Sequence, residues 1–145
     1  MPKRYPILRP LFALCAAFFM AACAAEPGPT LSAPDALAKA RAGEITLIDI
    51  RTPQEWRQTG IAEGALTIDM TRKTFVEELL NAVDGDKDAP IAIICRTGNR
   101  TTYTQKALQQ IGFSSVYNVK EGMAGSGAGP GWVRRGLPVE SCQTC

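Results

Sequence analysis

The chain has 145 residues, 16 of them basic and 14 acidic, with five cysteines and no histidine. The missing imidazole excludes any Cys/His dyad and any histidine acid/base mechanism. A chain of this length suits one compact domain with a real hydrophobic core, and no internal repeat or second domain is visible.

At the N-terminus, Lys3, Arg4 and Arg9 precede an uncharged stretch from Leu11 to Ala25 in which Cys23 follows Met20-Ala21-Ala22. This is the pattern of an export signal. Fifteen uncharged residues fall short of the roughly 20 that cross a bilayer as a helix, so a cleaved segment is expected rather than a transmembrane anchor. Met20-Ala21-Ala22-Cys23 resembles a bacterial lipobox, in which Cys23 would become the lipidated first residue. Ala22-Cys23-Ala24 also reads as a small-residue site for ordinary signal peptidase, with the lipoprotein reading preferred. The expected location is the periplasm, with membrane contact only through a lipid anchor. Three basic and no acidic residues precede Cys23, leaving 13 basic against 14 acidic residues beyond it. That balance gives no basis for nucleic-acid binding.

An Ala/Pro/Gly tether over 23–31 leads to a domain over 32–140 and a tail over 141–145. Ser32 with Asp35 forms a capping-box pattern, and Leu37, Ala38 and Ala40 give the following helix an apolar face until Gly43. Thr46 to Ile50 supplies a short β-branched strand. Thr52-Pro53 starts a brief helix through Trp56, and Ala65 to Ile68 reads as a strand. Phe75, Val76, Leu79 and Leu80 recur at helical spacing, which predicts an amphipathic helix from Arg72 to Ala82. Asp84-Gly85-Asp86-Lys87-Asp88 begins like a calcium loop, but Ala89 stands at the sixth place and Cys95 at the twelfth, so it is read as a solvated turn. Ile91 to Ile94 is an all-apolar strand of the kind buried on both faces, and Val116 to Val119 supplies another after Gly112. Strands alternating with helices argue for a parallel sheet between helical layers, with ligands at the carboxyl ends of strands.

Cys95 lies at such an end, in the loop Cys95-Arg96-Thr97-Gly98-Asn99-Arg100. A buried strand that ends in a tight loop opening a helix leaves backbone N–H groups converging on one small bowl suited to an anion. A thiol at its rim is favoured as thiolate by the helix dipole and by two guanidinium groups, Arg96 and Arg100. Cys95 is therefore expected to be the nucleophile. Gly98 permits the turn, Arg100 offers a planar anion fork, and Thr101-Thr102 are expected to cap a helix from Tyr103 to Ile111. Gly125-Ser126-Gly127-Ala128-Gly129 is followed by Pro130-Gly131 instead of a helix, so it reads as a mobile lip beside the loop rather than a dinucleotide site. Trp56 and Trp132 are read as core anchors.

At these residues the chain resembles the rhodanese family of sulfurtransferases, from about Ser32 to Val139. The likeness rests on Leu47-Ile48-Asp49-Ile50-Arg51-Thr52-Pro53-Gln54-Glu55-Trp56, on Cys95 to Arg100, and on Gly122 through Trp132 to Gly136-Leu137-Pro138. Two departures stand out. Gly60-Ile61-Ala62-Glu63-Gly64-Ala65 replaces the family's Gly-His-Ile-Pro-Gly-Ala, and the stretch from Glu121 to Gly131 is long. The resemblance implies a three-layer α/β/α fold with a central, mainly parallel sheet. It also implies that a six-residue loop, counted from Cys95 to Arg100, suits a sulfane-sulfur donor, whereas related cysteine phosphatases and arsenate reductases carry one residue more. No general acid for a phosphatase can be assigned.

The expected reaction starts with attack of Cys95 on the outer sulfur of an anionic donor such as thiosulfate. Arg96, Thr97, Gly98, Asn99 and Arg100 bind the donor, and Asp49 and Arg51 support the loop without acting as a base. A thiol or cyanide then takes the sulfur from the Cys95 persulfide, with no metal or organic cofactor. The rival reading is a persulfide carrier or protein-binding module working with an exported protein partner. Cys142 and Cys145 form a terminal C-x-x-C, read mainly as a local disulfide and alternatively as a pair that takes sulfur from Cys95.

Overall fold

The structure, a computed structural model, describes residues 1–3 and 27–145. The expectations for Leu11 to Ala25, including the lipidation of Cys23, lie outside the described residues. Among the described residues, no helix is long and apolar enough to cross a membrane.

Among the described residues, eleven elements follow one another. They are β1 (Thr30–Leu31), α1 (Ala33–Arg41), β2 (Thr46–Asp49), α2 (Pro53–Thr59), β3 (Ile61–Ala62), β4 (Leu66–Thr67), α3 (Phe75–Ala82), β5 (Ile91–Ile94), α4 (Asn99–Gln110), β6 (Val116–Val119) and β7 (Val139–Glu140). Five strands form one parallel sheet in the order β1-β6-β5-β2-β4, and β3 pairs with β7 antiparallel.

Strand alternation divides the core into two layers. Leu47, Ala92 and Ile94 face one side with Ala33, Ala36 and Leu37 of α1, Met123 and Trp132. Ile48, Ile91, Ile93 and Cys95 face the other with Phe75 and Leu79 of α3 and Leu108 of α4. The expected mainly parallel three-layer α/β/α architecture is therefore present. All four residues of β5 are 0% exposed, which explains why that strand is apolar throughout.

Element boundaries differ from the sequence reading for local reasons. The α1 cap is half a capping box: Ser32 Oγ accepts from the Asp35 amide at 3.2 Å, while the Asp35 carboxylate accepts from the Ser32 hydroxyl. Helix α2 runs on to Thr59 because Thr52 and Glu55 form a complete capping box. Helix α3 starts at Phe75, since Arg72 to Thr74 are spent in turns, with the Phe75 amide bonding the Arg72 carbonyl at 3.1 Å. The short strands β1, β3 and β7 carry no periodic signal of their own and exist through their partners. Trp132 is 0% exposed, its indole N–H donating to the Pro138 carbonyl at 2.8 Å, as expected of a core anchor.

Candidate active site

The strand β5 places Cys95 at its carboxyl end, between the ends of β2 and β6. The Ile50 amide bonds the Ile94 carbonyl at 3.0 Å, so the Asp49-Ile50-Arg51 segment lies beside the start of the loop. Cys95 is 1% exposed. Its Sγ accepts a hydrogen bond from the Gly98 amide at 3.2 Å and lies 3.6 Å from Thr101 Oγ1. The loop thus curls around its own sulfur.

Gly98 makes that curl possible. It has φ +83°, and a Cβ there would meet the Lys120 carbonyl oxygen at 1.9 Å. The helix begins immediately after it, at Asn99 rather than Tyr103. Thr101 and Thr102 therefore do not cap the helix. They lie in its first turn, and both hydroxyls donate back to the Gly98 carbonyl, at 2.9 and 2.8 Å. The first intrahelical bond runs from Thr102 N to Gly98 O, so the amides of Asn99, Arg100 and Thr101 precede it without intrahelical acceptors. These are the unpaired first-turn donors expected from the sequence.

The segment after β6 braces the loop from outside. Met123 N bonds the Cys95 carbonyl and Ala124 N the Arg96 carbonyl, both at 2.9 Å. Gly122, with φ +69°, allows this approach, because a Cβ would stand 2.5 Å from the Arg96 oxygen. Glu121, only 2% exposed, organises the segment by accepting from the amides of Ala33 and Gly131 and from Arg135 Nε. Burial works against its ionisation, but these three donors outweigh it and keep its pKa below the ordinary value. Gly125 to Gly129 lies beside the loop as expected and is closed by reciprocal backbone bonds between Ser126 and Gly129. Together with Thr97, Gly98 and Asn99 it borders a hollow of about 350 Å³.

Asp49 and Arg51 form a buried pair at 2.6 Å, 0% and 1% exposed. Arg51 also donates to Thr59 Oγ1 and the Gly60 carbonyl, each at 2.7 Å, so the pair welds the end of β2 to the end of α2.

Arg100 requires a correction. Its guanidinium does not stand free as an anion fork: Nη1 and Nη2 are taken by the two oxygens of Glu55 at 2.8 and 2.5 Å. The cause is local, since the capping box at Thr52 already aims the Glu55 carboxylate. Hydrogen bonding from Arg100, opposed by partial burial and reinforced by the Thr52 amide, holds Glu55 down at about 2. The carboxylate in turn raises the pKa of Arg100. Glu55 was within reach of the sequence reading through its capping spacing to Thr52, but nothing in the sequence shows that Arg100 meets it.

Arg96 is exposed and lines a cleft of about 510 Å³ with Arg51, Glu55, Met123, Ala124 and Arg134, among others. Cys142 and Cys145 are joined as a disulfide with their Cα atoms 5.5 Å apart, beyond β7. The Cys145 carbonyl accepts from Arg57 on α2. Cys95 is the free cysteine among the described residues.

Residues 32–127, which hold most of this parallel sheet and the Cys95 loop, match the family model of the rhodanese-like domain. The chain belongs to the rhodanese-like domain family. It is 31% identical over 96 residues to a protein of Allochromatium vinosum named sulfurtransferase, covering 66% of this chain and 78% of that one. An uncharacterised protein of Rickettsia prowazekii is 29% identical over 99 residues, covering 63% of this chain and 80% of its own length. Among solved structures, the polysulfide-sulfur transferase homodimer from Wolinella succinogenes is similar with a TM-score of 0.62 and 27% identity, over 80% of each chain.

Proposed function

We propose that the protein is a sulfurtransferase that carries sulfane sulfur as a Cys95 persulfide. The observation that carries the reading is the Gly98 amide donating to Cys95 Sγ at 3.2 Å inside a loop that opens a helix. The Cys95 thiolate attacks the outer sulfur of thiosulfate or a similar anionic donor. The new Sγ–S bond forms as the sulfur–sulfur bond of the donor breaks, and sulfite leaves with the bonding pair. The first-turn amides of α4 and the exposed Arg96 stabilise that departing charge. A thiolate or cyanide then takes the outer sulfur and releases Cys95.

Arg100 acts in this account by fixing the first turn of α4 against α2, since Glu55 occupies its two terminal nitrogens. A phosphatase reading is disfavoured by the same pair: a carboxyl held at about 2 has no proton to give a leaving alkoxide at neutral pH. The names of the Allochromatium sulfurtransferase and the Wolinella polysulfide-sulfur transferase support sulfur transfer.

The N-terminal segment supports export, with Cys23 as lipid anchor in the periplasm. Thiocyanate formation from thiosulfate and cyanide tests the enzymatic reading. Wild type produces it and Cys95→Ser does not; a protein that accepts sulfur on Cys95 but passes it to neither cyanide nor thiols is instead the non-turnover carrier.

A further inference from the structure

The cleft of about 510 Å³ beside the loop is far larger than an anion such as thiosulfate requires, and lies in the range that accommodates small organic molecules. Its position relative to Cys95 is fixed by a backbone ladder. Met123 and Ala124 bond the carbonyls of Cys95 and Arg96 at 2.9 Å, and Val133 N bonds the Met123 carbonyl at 3.0 Å. Met123, Ala124 and Val133 give the cleft an apolar surface, and Arg134 follows directly in the chain.

The charges along this cleft do not cancel. Arg51 is paired with Asp49, and Glu55 with Arg100. Arg96 and Arg134 line the same cleft, and among the described residues neither forms an ion pair. Two uncompensated guanidinium groups beside an apolar surface suit a ligand with an organic body and carboxylates. Cys95 is 1% exposed and does not itself line the cleft, which leaves room at its sulfur for no more than the end group of a ligand held there.

We propose that this cleft is the acceptor subsite, and that Arg134, with Arg96, selects a small organic thiol carrying carboxylates. The inference rests on the Cys95 persulfide reading. The acceptor thiolate attacks the outer sulfur of Cys95–S–SH, a new S–S bond forms on the acceptor, and the Sγ–S bond breaks. Cys95 leaves as thiolate, and the transferred sulfur keeps its oxidation state in the product persulfide.

Glutathione, with two carboxylates, and uncharged 2-mercaptoethanol are the probes, with thiosulfate as donor. Wild type prefers glutathione by kcat/KM, and Arg134→Glu lowers that preference about tenfold, mainly through the KM for glutathione. S-methylglutathione, which has no thiol, tests binding without turnover: calorimetry gives a Kd that rises about tenfold in Arg134→Glu. Equal binding of S-methylglutathione by both proteins, or an unchanged preference in the variant, overturns the proposal. So does wild type that neither binds S-methylglutathione nor prefers glutathione. Failure of the sulfurtransferase reading is distinguishable, because it shows as absence of both thiocyanate and a sulfur adduct on Cys95.

Discussion

Both oxygens of Glu55 are held by Arg100, Oε2 by Nη1 at 2.8 Å and Oε1 by Nη2 at 2.5 Å. This bidentate pair ties α2, capped by the same Glu55, to the first turn of the helix that follows Cys95. The depressed carboxyl of Glu55 links the pair to pH. Its folded pKa of about 2 lies below the ordinary 4.5, so its stabilisation is complete above 4.5 and is lost as the pH falls through about 2. Glu55→Gln should cost about 1–3 kcal/mol at neutral pH by leaving Arg100 without its anion. It should also flatten the acid dependence of stability between 4.5 and 2. Urea unfolding at several pH values checks both, and a Glu55→Gln/Arg100→Gln double variant should show coupling on the order of 1 kcal/mol.

Gly98→Ala should damage the loop more than its size suggests. The backbone sits at φ +83°, and the added Cβ meets the Lys120 carbonyl oxygen at 1.9 Å. Moving that backbone should cost about 2–4 kcal/mol and withdraw the Gly98 amide from Cys95 Sγ. Calorimetry should show a lowered Tm, and sulfur transfer should fall even at temperatures where the variant is folded.

The central strand was legible because burial on both faces leaves it no polar residue, so Ile91 to Ile94 read without ambiguity. The loop was legible because Cys95, Gly98 and the helix opening after them serve one local geometry. The Glu55–Arg100 bond spans 45 positions, and neither residue type is unusual where it stands. A free arginine fork was therefore the natural sequence reading, and only the reach of the Glu55 carboxylate from α2 to Arg100 removes it. The brace from Gly122 to Ala124 was equally hidden, because it works through backbone amides rather than side chains. Strands β3 and β7, of two residues each, are too short to show alternation.

The terminal disulfide should be dispensable for transfer from thiosulfate to cyanide. Cys142 and Cys145 lie beyond β7, and the site built around Cys95 uses neither. A double serine variant should retain that activity and nearly all its stability. Loss of transfer to a dithiol acceptor with cyanide activity intact would instead make the pair an internal sulfur relay. Loss of both in a folded variant would give the tail a part in building the site.

Membrane attachment should depend on Cys23. In the native envelope, Cys23→Ser should release the protein from the membrane fraction or stall its processing. Wild type found wholly in the soluble periplasmic fraction would favour ordinary cleavage after the signal.

Sulfur transfer through Cys95 is tested most directly by intact-protein and peptide mass spectrometry after brief exposure to thiosulfate, with excess donor removed. An increment of about 32 Da, one sulfur atom, is expected on the peptide containing Cys95, discharged by cyanide and absent in Cys95→Ser. Sulfur found only on the reduced Cys142/Cys145 pair, or full transfer activity in Cys95→Ser, would contradict it.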